Sequence, residues 1–178
     1  MNYKLRCQRQ FLTLLNKAII LLIFALLIPC MLNAQSCLPN GITFTTQSEI
    51  DNFQSNYPNC NEIEGWVRIE GNNITNLYGL GVLTSIGSDL WIYGTSLVDL
   101  SGLDNLATIG GSLSIGQDAF ASWNQDLTSL SGLNSLTSIG GVFNLKRNIV
   151  LSDISALSNL NTIGSNLHVA NNDSLKNM

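Results

Sequence analysis

The sequence predicts a mainly β protein: a right-handed single-chain β-solenoid with five short parallel strands and a short N-terminal capping helix. Three observations carry that prediction. A phrase recurs every 23 to 24 residues with one insertion, an apolar residue stands at every third position inside it, and glycine follows nearly every copy.

Within the repeat, the third-position residues are Ile74, Leu77, Leu80, Leu83 and Ile86, then Leu97, Leu100, Leu103, Leu106 and Ile109. Two more sets follow at Leu127, Leu130, Leu133, Leu136 and Ile139, and at Leu151, Ile154, Leu157, Leu160 and Ile163. All twenty are Leu or Ile, whereas chance placement in a chain that is 45% hydrophobic would fill about nine with any apolar residue. A spacing of three excludes an α-helix, whose stripe drifts with a 3.6-residue turn. It fits a coil of short extended and 3₁₀-like segments that send one side chain in three inward. Four residues after each final Ile an alternating pair follows: Leu90/Ile92, Leu113/Ile115, Phe143/Leu145 and Leu167/Val169, with Val67/Ile69 after Ile63. Period two makes each pair a short strand. Gly87, Gly110, Gly140 and Gly164 are expected to supply positive φ where the chain turns. Stacking the coils sets the strands about 4.8 Å apart and buries the Leu columns as one core.

Taken in chain order, residues 1–34 read as a signal peptide. Lys4, Arg6, Arg9 and Lys17 precede the apolar run 18–32, which is short for the roughly 20 residues a membrane span needs. Cleavage is expected between Ala34 and Gln35. An uncleaved N-terminal anchor, and lipidation at Cys37, are the competing readings. Residues 35–60 form an N-terminal cap. Within it 42–45 alternate like a strand, and 47–56 read as a helix with Ser48 and Asp51 placed as a capping box. Cys60 lies three residues before Ile63, the place of a core Leu in other coils, and a disulfide to Cys37 would tie the cap over the first coil. Residues 61–178 are the repeat solenoid. After Leu167 and Val169 a further phrase begins and stops at Met178, so the C-terminal end is expected to be incomplete. Further repeats, an anchoring domain or a partner are expected there.

The phrase L-x-x-L-x-x-L-x-x-I-G-G-x-L-x-I resembles the receptor L domain, the leucine-rich-repeat-like β-helix of growth-factor receptor ectodomains. It is also similar to L-domain-type repeats of exported Bacteroidetes surface proteins and to glycolipid-anchored fungal cell-wall proteins. The resemblance runs from about Cys37 to Leu175. It implies extracellular recognition, with protein ligands in the receptors, and it supplies no ligand-contact motif to place on individual residues here.

Composition narrows the function. Beyond Ala34 only Arg68, Lys146, Arg147 and Lys176 oppose twelve acidic residues, a net charge of −8. Such a chain lacks the phosphate contacts that drive nucleic-acid binding, and no integral membrane span remains once the signal is removed. No H-E-x-x-H, G-x-S-x-G or phosphate-binding glycine loop is present, and His168 is the one histidine. No catalytic set, cofactor or metal site is therefore expected, and the chain reads as a non-enzyme. Binding has better candidates. Trp66, Arg68, Trp91, Tyr93, Asn144 and His168 stand at outward positions of the strands, and an insertion within 117–124 carries Phe120 and Trp123. These eight form the expected ligand site of an exported, extracellular or cell-surface module that binds a protein or a glycan. The alternative is a structural envelope or cell-wall repeat protein without a specific ligand.

Overall fold

The computed structural model describes residues 35–117 and 123–176. Residues 1–34, read above as a signal peptide, and Phe120 lie outside the described residues. The repeat winds through two parallel six-stranded sheets. One contains β1 (Gln35–Cys37), β3 (Cys60–Ile63), β5 (Ser85–Ile86), β7 (Thr108–Ile109), β9 (Ser138–Ile139) and β11 (Thr162–Ile163), in that spatial order. The other runs β2 (Ile42–Phe44), β4 (Val67–Glu70), β6 (Leu90–Tyr93), β8 (Leu113–Ile115), β10 (Phe143–Lys146) and β12 (Leu167–Ala170). The five expected strands are β4, β6, β8, β10 and β12, and the N-terminal β2 extends their sheet. The first sheet was not foreseen. Its strands are mostly two residues long and centre on the terminal Ile of each phrase, with Ile63, Ile86, Ile109, Ile139 and Ile163 paired in register.

The third side of each coil explains the period of three. Leu80 N–H donates to Leu77 C=O and Leu83 N–H to Leu80 C=O, at 2.9 Å each. The same i+3 bonds link Leu100, Leu103 and Leu106, and Leu130, Leu133 and Leu136. Successive tight turns advance the chain three residues at a time, so every third side chain points inward. All members of the first three sets are buried, and in the fourth Leu151 is buried while Ile154, Leu157, Leu160 and Ile163 are half-buried.

The glycines after each phrase need a different explanation from the expected one. Gly87, Gly110, Gly140 and Gly164 are not among the positive-φ residues. Each instead lies against the coil before it. A Cβ on Gly110 would run into the carbonyl oxygen of Gly87, one on Gly140 into that of Gly110, and one on Gly164 into that of Gly140. Close stacking of the coils selects glycine there.

The cap is built as two short helices, α1 (Gln47–Asp51) and α2 (Phe53–Asn56), separated at Asn52. The capping box sits two residues earlier than expected. Thr46 accepts from Glu49 N–H, and the Glu49 carboxylate accepts from the Thr46 and Thr45 N–H groups at 3.0 and 2.7 Å. Starting the helix at Gln47 puts Ile50 and Phe53 on the inward side, where both are fully buried. Phe53 meets Phe44 edge-on at 5.8 Å and Tyr57 at 5.5 Å. The Gln47 side chain also accepts from Thr75 N–H at 2.9 Å, fastening the cap to the first full coil. Cys37 and Cys60 are joined by a disulfide that closes 23 residues of chain, as expected.

Candidate functional site

The second sheet carries the site because its pairing is in register from end to end. Thr43 pairs with Arg68, Arg68 with Trp91, Trp91 with Ser114, Ser114 with Asn144, and Asn144 with His168. Inward neighbours on either side of this row, such as Leu90 and Ile92, are fully buried. A strand alternates its faces, so the row must point outward.

At the cap end three side chains form a cluster. The Arg68 guanidinium lies 5.9 Å from the Trp66 ring and 5.4 Å from the Trp91 ring, and the two indoles are 6.0 Å apart. Charge facing a π-surface is attractive and restrains all three groups. The Arg68 Nε is buried and has no hydrogen-bond partner among the described residues. Trp66 is further positioned by Gly41, where any Cβ would meet the indole.

Tyr93 differs from its expected place. Although it occupies an outward position, it is only 8% exposed. Burial first, and then the neighbouring Glu70 carboxylate, push its pKa above the ordinary phenol value of 10.0. It therefore forms part of a floor rather than a projecting anchor.

A depression of about 190 Å³ opens beside this floor, lined by Trp91, Tyr93, Ser114, Gly116, Gln117, Asn144 and Lys146. Sequence reasoning named its aromatic wall and Asn144 but did not foresee the hollow. The signal was the small residues on and just after β8: Ser114 and Gly116 stand between the large side chains of β6 and β10. The Asn144 amide donates to the Ser114 hydroxyl at 3.2 Å across the base. His168 lies in the same row on β12 and is exposed. Trp123 is half-buried and faces the Arg147 guanidinium at 5.2 Å, outside the lining of the depression.

A second unforeseen feature holds the strand exits. Asn124 and Asn148 are fully buried, and Asn124 donates to Asn148 Oδ1 at 3.0 Å and to Ile92 C=O at 3.1 Å. Asn148 donates to Ile115 C=O at 3.1 Å, and Asn172 to Leu145 C=O at 2.8 Å. Thr95 takes the corresponding place one coil earlier, donating to Asn124 Oδ1 at 2.9 Å. This amide ladder closes the turns next to the depression. Among the described residues no group of three or more His, Cys, Asp or Glu side chains is placed to hold a metal ion. Nor is any described helix long and apolar enough to cross a membrane.

Residues 59–132 match the family model of the receptor L domain, a non-enzymatic, ligand-binding receptor module. The matched stretch runs from the turn before β3 through β8 and includes Trp66, Arg68, Trp91 and Tyr93. No curated protein and no solved structure matches the chain.

Proposed function

We propose that this chain is an exported recognition module that binds a protein or glycan ligand at the cell surface through the outward face of its second sheet. The observation that carries the reading is the Trp66–Arg68–Trp91 cluster, in register with Asn144 and His168 across one face. Aromatic and Arg side chains held rigid on a broad surface are the groups that dominate binding energy when a partner desolvates them. Nothing in the repeat requires them, since the core is filled from the opposite face. The receptor L-domain match over 59–132 supports the same class of function, and the Cys37–Cys60 disulfide fits an extracellular location. Residues 1–34 would supply export as a signal peptide, with 35–60 as the cap and 61–178 as the solenoid. The inserted loop, with Phe120 and Trp123, belongs to the proposed contact surface because it departs between β8 and the coil of β10.

The test is a screen of the exported chain against surface proteins and glycans, followed by Trp91→Ala, Arg68→Ala and deletion of 119–123. Loss of an aromatic anchor should weaken binding by about 2 kcal/mol, some thirtyfold, with the melting temperature kept. Unchanged affinity in all three variants would move the site off this face. Failure to find any ligand would favour a structural envelope role. Intact-mass measurement of exported protein checks the processing, the expected product starting at Gln35 with no free thiol.

A further inference from the structure

We propose that the depression between β6 and β10 is a subsite for one neutral hexopyranose ring of a glycan, an assignment that rests on the reading of this face as the binding surface. The hollow exists because the outward residues on and just after β8 are small, Ser114 and then Gly116. Neighbouring strands lie about 4.8 Å apart, so β6 and β10 stand about 10 Å apart with only small groups between them. Gly116 cannot be filled in. It has a φ of +77°, and a Cβ there would strike the carbonyl oxygen of Lys146. Toward the start of β8 the polar groups are bonded to one another. Ser112 N–H donates to Asp89 at 2.6 Å, and the Ser112 hydroxyl accepts from Val142 N–H at 3.1 Å. The hollow is thus confined to the stretch over Ser114 and Gly116, on a floor fixed by the backbone.

Its sides differ in chemistry. Trp91 supplies an aromatic wall, and its ring is steadied from the β4 side by Arg68 at 5.4 Å and Trp66 at 6.0 Å. An anchor immobilised before binding loses less entropy on contact. The rest of the polar lining is made of neutral groups: the Ser114 hydroxyl at the base, and the Asn144 and Gln117 amides beside it. Asn144 donates to Ser114 at 3.2 Å, a bond that uses one of its two amide hydrogens and leaves the serine O–H to point elsewhere. Hydroxyls and amides each donate and accept, as sugar hydroxyls do, so they can meet a sugar rim in either sense. A pyranose has an apolar C–H face and that rim of hydroxyls, which matches one aromatic wall and a polar base. At about 190 Å³ the space is below the roughly 300–1,000 Å³ of drug-sized sites, and suits a single ring.

Charge argues for a neutral ring. Both signs border the hollow. Arg68 packs on Trp91 and Lys146 belongs to the lining, while Glu70 stands beside Tyr93 on β4 and Asp89 just before β6. The two bases offset the two acids, and Lys146 already has an interaction of its own. A charged ligand would lose hydration here without meeting a wall of opposite sign, a net cost. Hydroxyls need only the donors and acceptors that the lining supplies. A peptide in extended form finds no purchase either. β8 is bonded to β6 and β10 on both sides, so it offers no free edge for strand addition.

The experiment uses the full exported chain, titrated with cello-, laminari-, manno- and galacto-oligosaccharides and followed by calorimetry and tryptophan fluorescence. Oligogalacturonate and a chitosan oligomer serve as the anionic and cationic counterparts. At least one neutral oligosaccharide should bind and perturb the fluorescence, and both charged oligomers should bind about tenfold more weakly than the best neutral one. Trp91→Ala should lose about tenfold or more, and Trp91→Phe should restore most of it. Ser114→Phe fills the hollow from an outward strand position, and it should abolish saccharide binding while the melting temperature is kept. Binding of no neutral saccharide overturns the proposal, as does a charged oligomer that binds as tightly as the best neutral one. Saccharide binding that survives Trp91→Ala or Ser114→Phe overturns it as well. If saccharides fail while a protein ligand from the screen is lost in Trp91→Ala, the recognition face stands and only the saccharide subsite falls.

Discussion

At Gly110 and Gly140 the missing side chain matters more than the backbone angle, because each α-carbon packs against a carbonyl oxygen of the coil below. Alanine at either position would push adjacent coils apart. Gly110→Ala and Gly140→Ala should each destabilise by about 1–3 kcal/mol, read as a lower urea midpoint. Gly81 is the control. Its φ is −60° and a Cβ would come no closer than 3.3 Å to its nearest neighbour, so Gly81→Ala should stay within about 0.5 kcal/mol of the parent. The glycine column was legible as a pattern but not as a cause, since spacing along one copy cannot reveal how tightly copies stack. Asn148 poses the complementary problem. It is fully buried and its amide donates to Ile115 and Lys146 carbonyls, both at 3.1 Å. Asn148→Ala leaves these acceptors buried without a donor, at a cost of about 1–3 kcal/mol each, again measured by urea unfolding. Asn124, Asn148 and Asn172 are spaced 24 apart. That rhythm was the available signal, hidden because asparagine in a turn ordinarily serves its own backbone.

Among the elements, the cap depends most on a few polar contacts. Helices α1 and α2 are too short to be stable alone and are held by Ile50 and Phe53 in the core. Thr46 begins them, and Thr46→Ala should cost about 1 kcal/mol at neutral pH. Glu49 adds a pH signature. The Thr45 N–H above all, then that of Thr46, holds its carboxylate below the ordinary 4.5. A depressed carboxylate contributes its stability at pH above the unfolded value and loses it as pH falls through the folded one. Melting curves from pH 7 down to 3 should thus show an acid-side loss that shrinks in Glu49→Gln. The sequence placed this helical stretch correctly but as one unbroken helix, and its box two residues late, because Ser48 and Asp51 satisfy the same spacing rule as Thr46 and Glu49. What separates them is which start turns Ile50 and Phe53 inward, a tertiary requirement. The strands of the second sheet were legible from period two alone. Those of the first sheet were not, since a pair such as Thr108–Ile109 is too short to alternate.

Across the whole molecule, each coil touches its neighbours and little else, so stability should follow how well each coil is enclosed. Leu103 is buried between coils, and Leu103→Ala should cost about 2–5 kcal/mol. Leu160 is half-buried in the last described coil, and its change to Ala should cost clearly less; equal melting temperatures would mean the enclosure differs from that described. Opening the Cys37–Cys60 disulfide removes a 23-residue closure, worth about 3 kcal/mol, and should loosen the cap before the coils. The fold was legible to this degree because every copy of the phrase repeats the same inward choice. The binding face was legible only in part. Outward residues answer to a ligand rather than to the core, and the hollow over β8 depends on what three separated copies place side by side.

The two sides of the coil also differ in what they permit the chain to become. Where Gly87, Gly110, Gly140 and Gly164 stack, the path length is fixed, because lengthening would separate carbonyls from the α-carbons pressed against them. At the strand exits the constraint is one amide per coil. Between Leu113 and Leu127 the chain spans fourteen residues where Leu90 to Leu97 spans seven, yet Asn124 still reaches its slot and both flanking sheets keep register. Foreign sequence can therefore be spliced in before a ladder asparagine without resetting the Leu columns. Natural variation and loop grafting alike should concentrate on that border, which is also the border nearest the hollow.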